Sequence, residues 1–142
     1  MKIALITLSN EGCRIAGRLA GAWKGVDLFA HTGVADAIKT KQFDSIKDLS
    51  REIFNRYNGL VYIAPCGVVV RAIAQLIGHK TTDPAVVVVD VGGRYAISLL
   101  SGHEGGANAL ALRVANILGA EPIVTTTTEA VKNLIVGVGC RR

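Results

Sequence analysis

The chain has 142 residues, half of them hydrophobic and 19% charged, with a formal net charge of +5; that is enough apolar material for one domain with its own core and too little charge for a disordered chain. Its sixteen Lys and Arg are scattered from Lys2 onward, with no run longer than Arg141-Arg142, which argues against a nucleic-acid partner, since that needs a clustered basic face. Cys13, Cys66 and Cys140 form no CxxC pair and no apolar run approaches a bilayer span, so the expectation is a reduced, cytoplasmic protein without a disulfide framework or membrane contact.

Residues 3–8 form an apolar run that stops at Ser9-Asn10-Glu11-Gly12, a buried strand followed by a turn. Residues 13–23 place Ile15, Leu19 and Ala22 at helical spacing, and residues 26–30 read as a second strand. A helix is predicted over 44–57, with Asp44 or Ser45 as its N-cap and Ile46, Leu49, Ile53 and Phe54 inward. Residues 60–64 are a strand closed by Pro65-Cys66-Gly67, and the next helix should bury Val69, Ile73, Leu76 and Ile77 before Gly78 ends it. Strands at 85–89 and 95–100 flank Gly92-Gly93, a hairpin signal that makes this pair antiparallel. A helix over 106–118 turns Ala107, Leu110, Ala111, Val114 and Leu118 inward and stops at Gly119; strands at 122–125 and 134–138 complete the chain. Strands and helices alternate through most of this order, so the predicted fold is α/β: a three-layer sandwich with a mostly parallel sheet containing one antiparallel hairpin.

Ligands of open α/β sheets gather beyond the carboxyl ends of the strands. On that rule Ser9, Asn10, Gly67, Gly102, His103 and the run 125–128 are expected to line one common cleft. The segment Ser101-Gly102-His103-Glu104-Gly105-Gly106-Ala107-Asn108 is the most informative of these exits. Its glycines let backbone approach a ligand, and the helix that follows is expected to offer free N–H groups and a positive dipole end to a carboxylate or oxyanion. His103 and Glu104 add a titratable pair suited to general acid or base work. The same glycines equally suit a plain strand-to-helix turn. Arg71 could meet a carboxylate bidentately or stand as an ordinary solvated helix arginine. Thr125, Thr126 and Thr127 offer hydroxyls, though β-branched residues also suit a strand end. Thr82-Asp83-Pro84 reads as a structural turn. The loop carries no dinucleotide fingerprint or Walker lysine, and the histidines show no metal-ligand spacing.

Four pieces in order, G-V-V-V-R-A-I-A, T-D-P-A-V-V-V-V-D, S-L-L-S-G-H-E-G-G-A-N and the threonine run after Pro122, resemble the amino-terminal domain of CbiG proteins, the cobalt-precorrin-5A hydrolases of anaerobic cobalamin biosynthesis. The resemblance covers about residues 60–130. It implies an enzyme domain that opens the ring A δ-lactone of a cobalt-bearing, polycarboxylate tetrapyrrole and releases two carbons as acetaldehyde. The cobalt belongs to the substrate, so no protein-held cofactor is expected. With that substrate in view, His103 is the expected water-activating base with Glu104 beside it. Ser9, Asn10, Gly67, Arg71, Ser101, Gly102, Gly105, Gly106, Asn108, Thr125, Thr126 and Thr127 are the expected substrate-binding residues, with the lactone carbonyl near Gly105 and Gly106.

The end of the sequence, G-V-G-C-R-R, is similar to the opening of the family's carboxy-terminal domain. Residues 1–133 are therefore expected to form the amino-terminal domain, and 134–142 the start of a carboxy-terminal domain carried in truncated form. A carboxy-terminal domain in trans is one expected partner. A homodimer joined through the apolar strand 134–138 is another. The competing functions are a non-catalytic tetrapyrrole-binding or assembly domain, and a structural domain whose glycine loop is only a turn.

Overall fold

The computed structural model describes residues 1–34 and 40–127. Seven strands form one sheet: β1 (Ile3–Thr7), β2 (Asp27–His31), β3 (Lys41–Phe43), β4 (Gly59–Ile63), β5 (Ala85–Val89), β6 (Tyr95–Leu100) and β7 (Glu121–Ile123). The helices are α1 (Asn10–Ala22), α2 (Ile46–Ile53), α3 (Cys66–Ile73) and α4 (Ala107–Leu118). The spatial order is β3-β2-β1-β4-β5-β6-β7.

Strands β1, β4 and β5 are buried throughout, as continuous apolar runs covered on both faces should be. Their alternation divides the core in two. Ile3, Leu5, Val61 and Val87 pack under α1 and α4 on one face. Ala4, Ile6, Leu60, Tyr62 and Val88 pack under α2 and α3 on the other. Each large aliphatic side chain so buried contributes about 1.5–3 kcal/mol, and the result is the expected three-layer sandwich. The buried polar pair Ser50 and Tyr62 is satisfied internally, hydroxyl to hydroxyl at 2.8 Å. Among the described residues no helix is long and apolar enough to cross a membrane.

The expected antiparallel hairpin is present, with Val88 opposite Ile97 and Val86 opposite Leu100. Its turn is built by Asp90, whose carboxylate accepts from the amides of Gly92, Arg94 and Tyr95. Burial raises the Asp90 pKa, but those amides outweigh it and hold the carboxyl below its ordinary value. The hairpin divides the sheet by direction. β3, β2, β1, β4 and β5 are mutually parallel, whereas β6 and β7 are parallel to each other and opposed to the rest.

Several boundaries differ from the expectations. Helix α1 begins directly at Asn10, because the Ser9 hydroxyl accepts from the Gly12 amide as an N-cap in place of making a turn. Helix α2 starts after Ser45, whose side chain caps Asp48, and closes at Ile53. Helix α3 stops at Ile73 and passes into a 3-10 turn, Ala74–Leu76. That tighter winding rotates the following residues off the helical stripe, so Leu76 is half-buried and Ile77 is exposed, not buried as expected. Strand β3 carries no periodic signal: of its three residues only Phe43 is buried. Thr128 and the expected strand and domain start at 134–142 lie outside the described residues.

Candidate functional site

The direction change at the hairpin decides where the candidate residues sit. The carboxyl ends of β1 and β4 carry Ser9, Asn10, Gly67 and Arg71 to one edge of the sheet. Leu100, the last residue of β6, pairs with Val86 at the beginning of β5, so segment 101–108 emerges at the opposite edge, beside the amino ends of β1, β4 and β5. Strand β7 runs with β6 and delivers Thr125, Thr126 and Thr127 to that same edge. One common cleft for all these residues is therefore ruled out. An antiparallel strand presents its carboxyl end where its parallel neighbours present their amino ends.

At the carboxyl edge the polar groups are largely taken up by the fold. Ser9 caps α1, and the Arg71 guanidinium turns back to the Gly67 carbonyl of its own helix at 3.4 Å. Asn10 also has an interaction of its own.

The amino edge is built differently. Ser101 has left-handed backbone at φ 59°, and Gly106 follows at φ 91° as the N-cap of α4. These turns aim the carbonyls of Ser101 and Gly102 at the amides of Ala107 and Asn108, at 3.0 and 2.9 Å. The first two amides of this helix, expected to be free, are thus capped by the loop itself. Asn108 is buried and spent as a strut: its carbonyl accepts from the Ser98 hydroxyl at 2.7 Å and its amide donates to Thr126 at 3.0 Å. Gly102 leans on both, since a Cβ there would come within 2.8 Å of Asn108 Oδ1 and 3.0 Å of Thr126 Cγ2. A Cβ at Gly105 would overlap that of Ser101 and approach its carbonyl oxygen to 2.9 Å, so only glycine fits.

His103 and Glu104 are exposed at the tip of this turn, as are Thr125 and Thr127, while Thr126 is half-buried. Gly105 forms one wall of a cleft of about 570 Å³ whose other walls include Tyr57, Asn58, Thr81, Thr82 and Asp83. Lys80 reaches Glu104 at 3.7 Å and joins loop 79–84 to turn 101–106. Asp83 fixes that loop by accepting from the Gly78 amide with both oxygens, at 3.1 and 3.0 Å. On the cleft's far wall Tyr57 donates to Asp27. Burial and then this bond push the tyrosine up to about 12, and the same bond, received, holds Asp27 below its ordinary value. Lys80, Thr81, Thr82 and Tyr57 were absent from the sequence-based site. The available signal was the Thr-Thr-Asp-Pro run before β5, read as a structural turn.

This combination of an exposed imidazole, a carboxylate, glycine backbone and a hydroxyl-lined cleft suits an anionic, oxygen-rich ligand and proton transfer to or from water. The family described as "Cobalamin synthesis G N-terminal" matches residues 48–129. A cobalt-precorrin-5A hydrolase of Salmonella typhimurium is 40% identical over 127 residues, which cover 89% of this chain and 36% of that protein. Another, of Priestia megaterium, is 35% identical over 144 residues, covering 98% and 38%. A solved structure of a cobalamin biosynthesis protein G homolog from Sulfolobus solfataricus superposes with TM-score 0.68 at 26% identity, over 95% of this chain and 40% of that one. The chain thus spans less than two fifths of the curated relatives it matches.

Proposed function

The chain belongs to the cobalamin synthesis G N-terminal family, and from that premise we propose that it is the lactone-opening domain of a cobalt-precorrin-5A hydrolase. The observation that carries this is the position of the match: residues 48–129 include most of the residues that line the amino-edge cleft, among them Tyr57, Thr81, Thr82 and Gly105. The substrate is a cobalt tetrapyrrole rich in carboxylates, and its cobalt is cargo of the substrate. His103 takes a proton from water as that water attacks the lactone carbonyl, which lies over the Gly105 and Gly106 backbone. The acyl C–O bond breaks to give a carboxylate and a hydroxyl. Release of acetaldehyde then needs that hydroxyl to lose its proton while the adjacent carbon–carbon bond breaks, with the electron pair passing into the conjugated macrocycle. Glu104, once parted from Lys80, stands close enough to His103 in sequence to share the proton traffic. Thr125, Thr126 and Thr127 border the same edge. Ser9, Asn10, Gly67 and Arg71 fall outside this substrate site.

Cysteine usage supports a cytoplasmic setting. A family carboxy-terminal domain is the proposed partner, and the apolar run 134–138 supports a homodimer as a second association. The test is incubation of the purified chain with cobalt-precorrin-5A while acetaldehyde is assayed, with and without a family carboxy-terminal domain. Acetaldehyde that depends on this chain is the expected result. Tight tetrapyrrole binding with all turnover residing in the other domain would make this a binding module instead.

A further inference from the structure

Ser101 has a side chain that the fold does not explain. Its backbone has a clear purpose, since the left-handed turn at φ 59° sends two carbonyls to the head of α4. The side chain has none: Ser101 is 8% exposed, and its hydroxyl is sealed from solvent without a hydrogen-bond partner among the described residues. A buried, unpaired hydroxyl is destabilising, and alanine would occupy the same space without that penalty. Asn108, in the same segment, is paired elsewhere, with Ser98 and Thr126. Gly105, which lines the cleft, packs directly against Ser101. A Cβ on Gly105 would lie 3.3 Å from Ser101 Oγ, so the contact there is made by backbone alone. The turn that forms it is joined to loop 79–84 by an exposed ion pair, Lys80 to Glu104 at 3.7 Å, a weak link.

Resting on the function proposed above, we infer that Ser101 is a further catalytic residue, whose hydroxyl donates a hydrogen bond to the substrate oxygen that gains negative charge as the lactone opens. A substrate carboxylate that takes Lys80 from Glu104 frees the turn at 103–105, and Gly105 moves aside to uncover the hydroxyl. The serine keeps its proton throughout, so no covalent intermediate is involved.

Ser101→Ala and Ser101→Gly both remove the hydroxyl, and glycine also accepts the left-handed backbone without strain. In the chain assayed together with the carboxy-terminal domain, both variants should melt at or above the wild-type temperature. Both should release acetaldehyde roughly 10- to 100-fold more slowly, the loss associated with one hydrogen bond to a charged oxygen. Turnover within twofold of wild type overturns the inference. So does a melting temperature lowered in both variants, which would reveal an internal partner for the hydroxyl. A wild-type protein that neither binds nor turns over cobalt-precorrin-5A removes the inference together with the proposed function. An active wild type with equally active variants removes the inference alone.

Discussion

The two edges of the sheet use similar residue types to opposite ends. At the carboxyl edge, Ser9 is an N-cap, Asp90 is wrapped by three amides and Arg71 folds onto its own helix. At the amino edge, Ser101 is strained and unpaired among the described residues, and His103 is exposed in the turn whose Gly105 lines a cleft. Polar groups paired within the fold contribute to stability, whereas strained or unpaired ones persist where something else requires them. The contrast supports the proposed placement of the site at the amino edge, which departs from the usual carboxyl-edge placement in parallel sheets. The departure is a matter of direction only: relative to β6 and β7, this edge is the carboxyl end.

The largest effect that tests the contrast is on His103. Its exposed ring supports no packing, so His103→Ala in the presence of the carboxy-terminal domain should leave the melting temperature and tetrapyrrole binding near wild type. Acetaldehyde release should fall by ~100- to 10,000-fold, the usual cost of a lost general base. Near-normal turnover would move the chemistry elsewhere.

A matched pair of glycines separates stability from function. Gly105→Ala collides with Ser101, and Gly12→Ala with the buried Thr7 hydroxyl and, at 3.1 Å, with Ile63. Each should destabilise by about 1–3 kcal/mol in a urea melt. Only Gly105→Ala should abolish acetaldehyde release among molecules that remain folded. Equal losses of specific activity would erase the distinction between the edges.

Titration gives a smaller effect. Tyr57 and Tyr62 are both pushed up to about 12, chiefly by burial. A folded-state value above the ordinary 10.0 contributes stability that is complete below pH 10 and lost as the pH rises towards 12. Asp27, held below 3.8 chiefly by the Tyr57 bond, contributes stability present above that value and lost as the pH falls beneath it. Tyr57→Phe should therefore flatten both limbs of the stability curve, leaving the alkaline share of Tyr62. Urea midpoints measured across the pH range would show it, and an unchanged curve would sever the Asp27–Tyr57 link.

The smallest expected effect is at Arg71. If substrate uses the amino edge, Arg71→Ala should leave KM for cobalt-precorrin-5A within about twofold, as for an ordinary exposed residue. A tenfold rise in KM would return the carboxyl edge to the site.

Most elements were legible in the sequence because their signals are local. Buried runs such as 85–89, the helical stripe of α4 and the Gly92-Gly93 hairpin each follow from backbone sterics and apolar periodicity over a few residues. Strand β3 was not legible, since Lys41 and Gln42 are exposed and only pairing with β2 makes them a strand. The 3-10 turn after α3 likewise leaves no periodic mark in so short a stretch.

The candidate site divides along the same line. The amino-acid order alone determined that 101–108 is a glycine turn heading a helix, with an imidazole and a carboxylate at its tip. It also contained the hairpin that reverses the chain, which was already incompatible with a single cleft shared by Ser9 and His103. Tertiary structure alone decided that the turn faces Thr81, Thr82 and Tyr57 across a cleft, that the first α4 amides are already bonded, and that the Ser101 hydroxyl is buried without a described partner. Local chemistry is written in neighbouring residues, whereas edge, neighbour and burial depend on strand direction and on contacts between segments far apart in the chain.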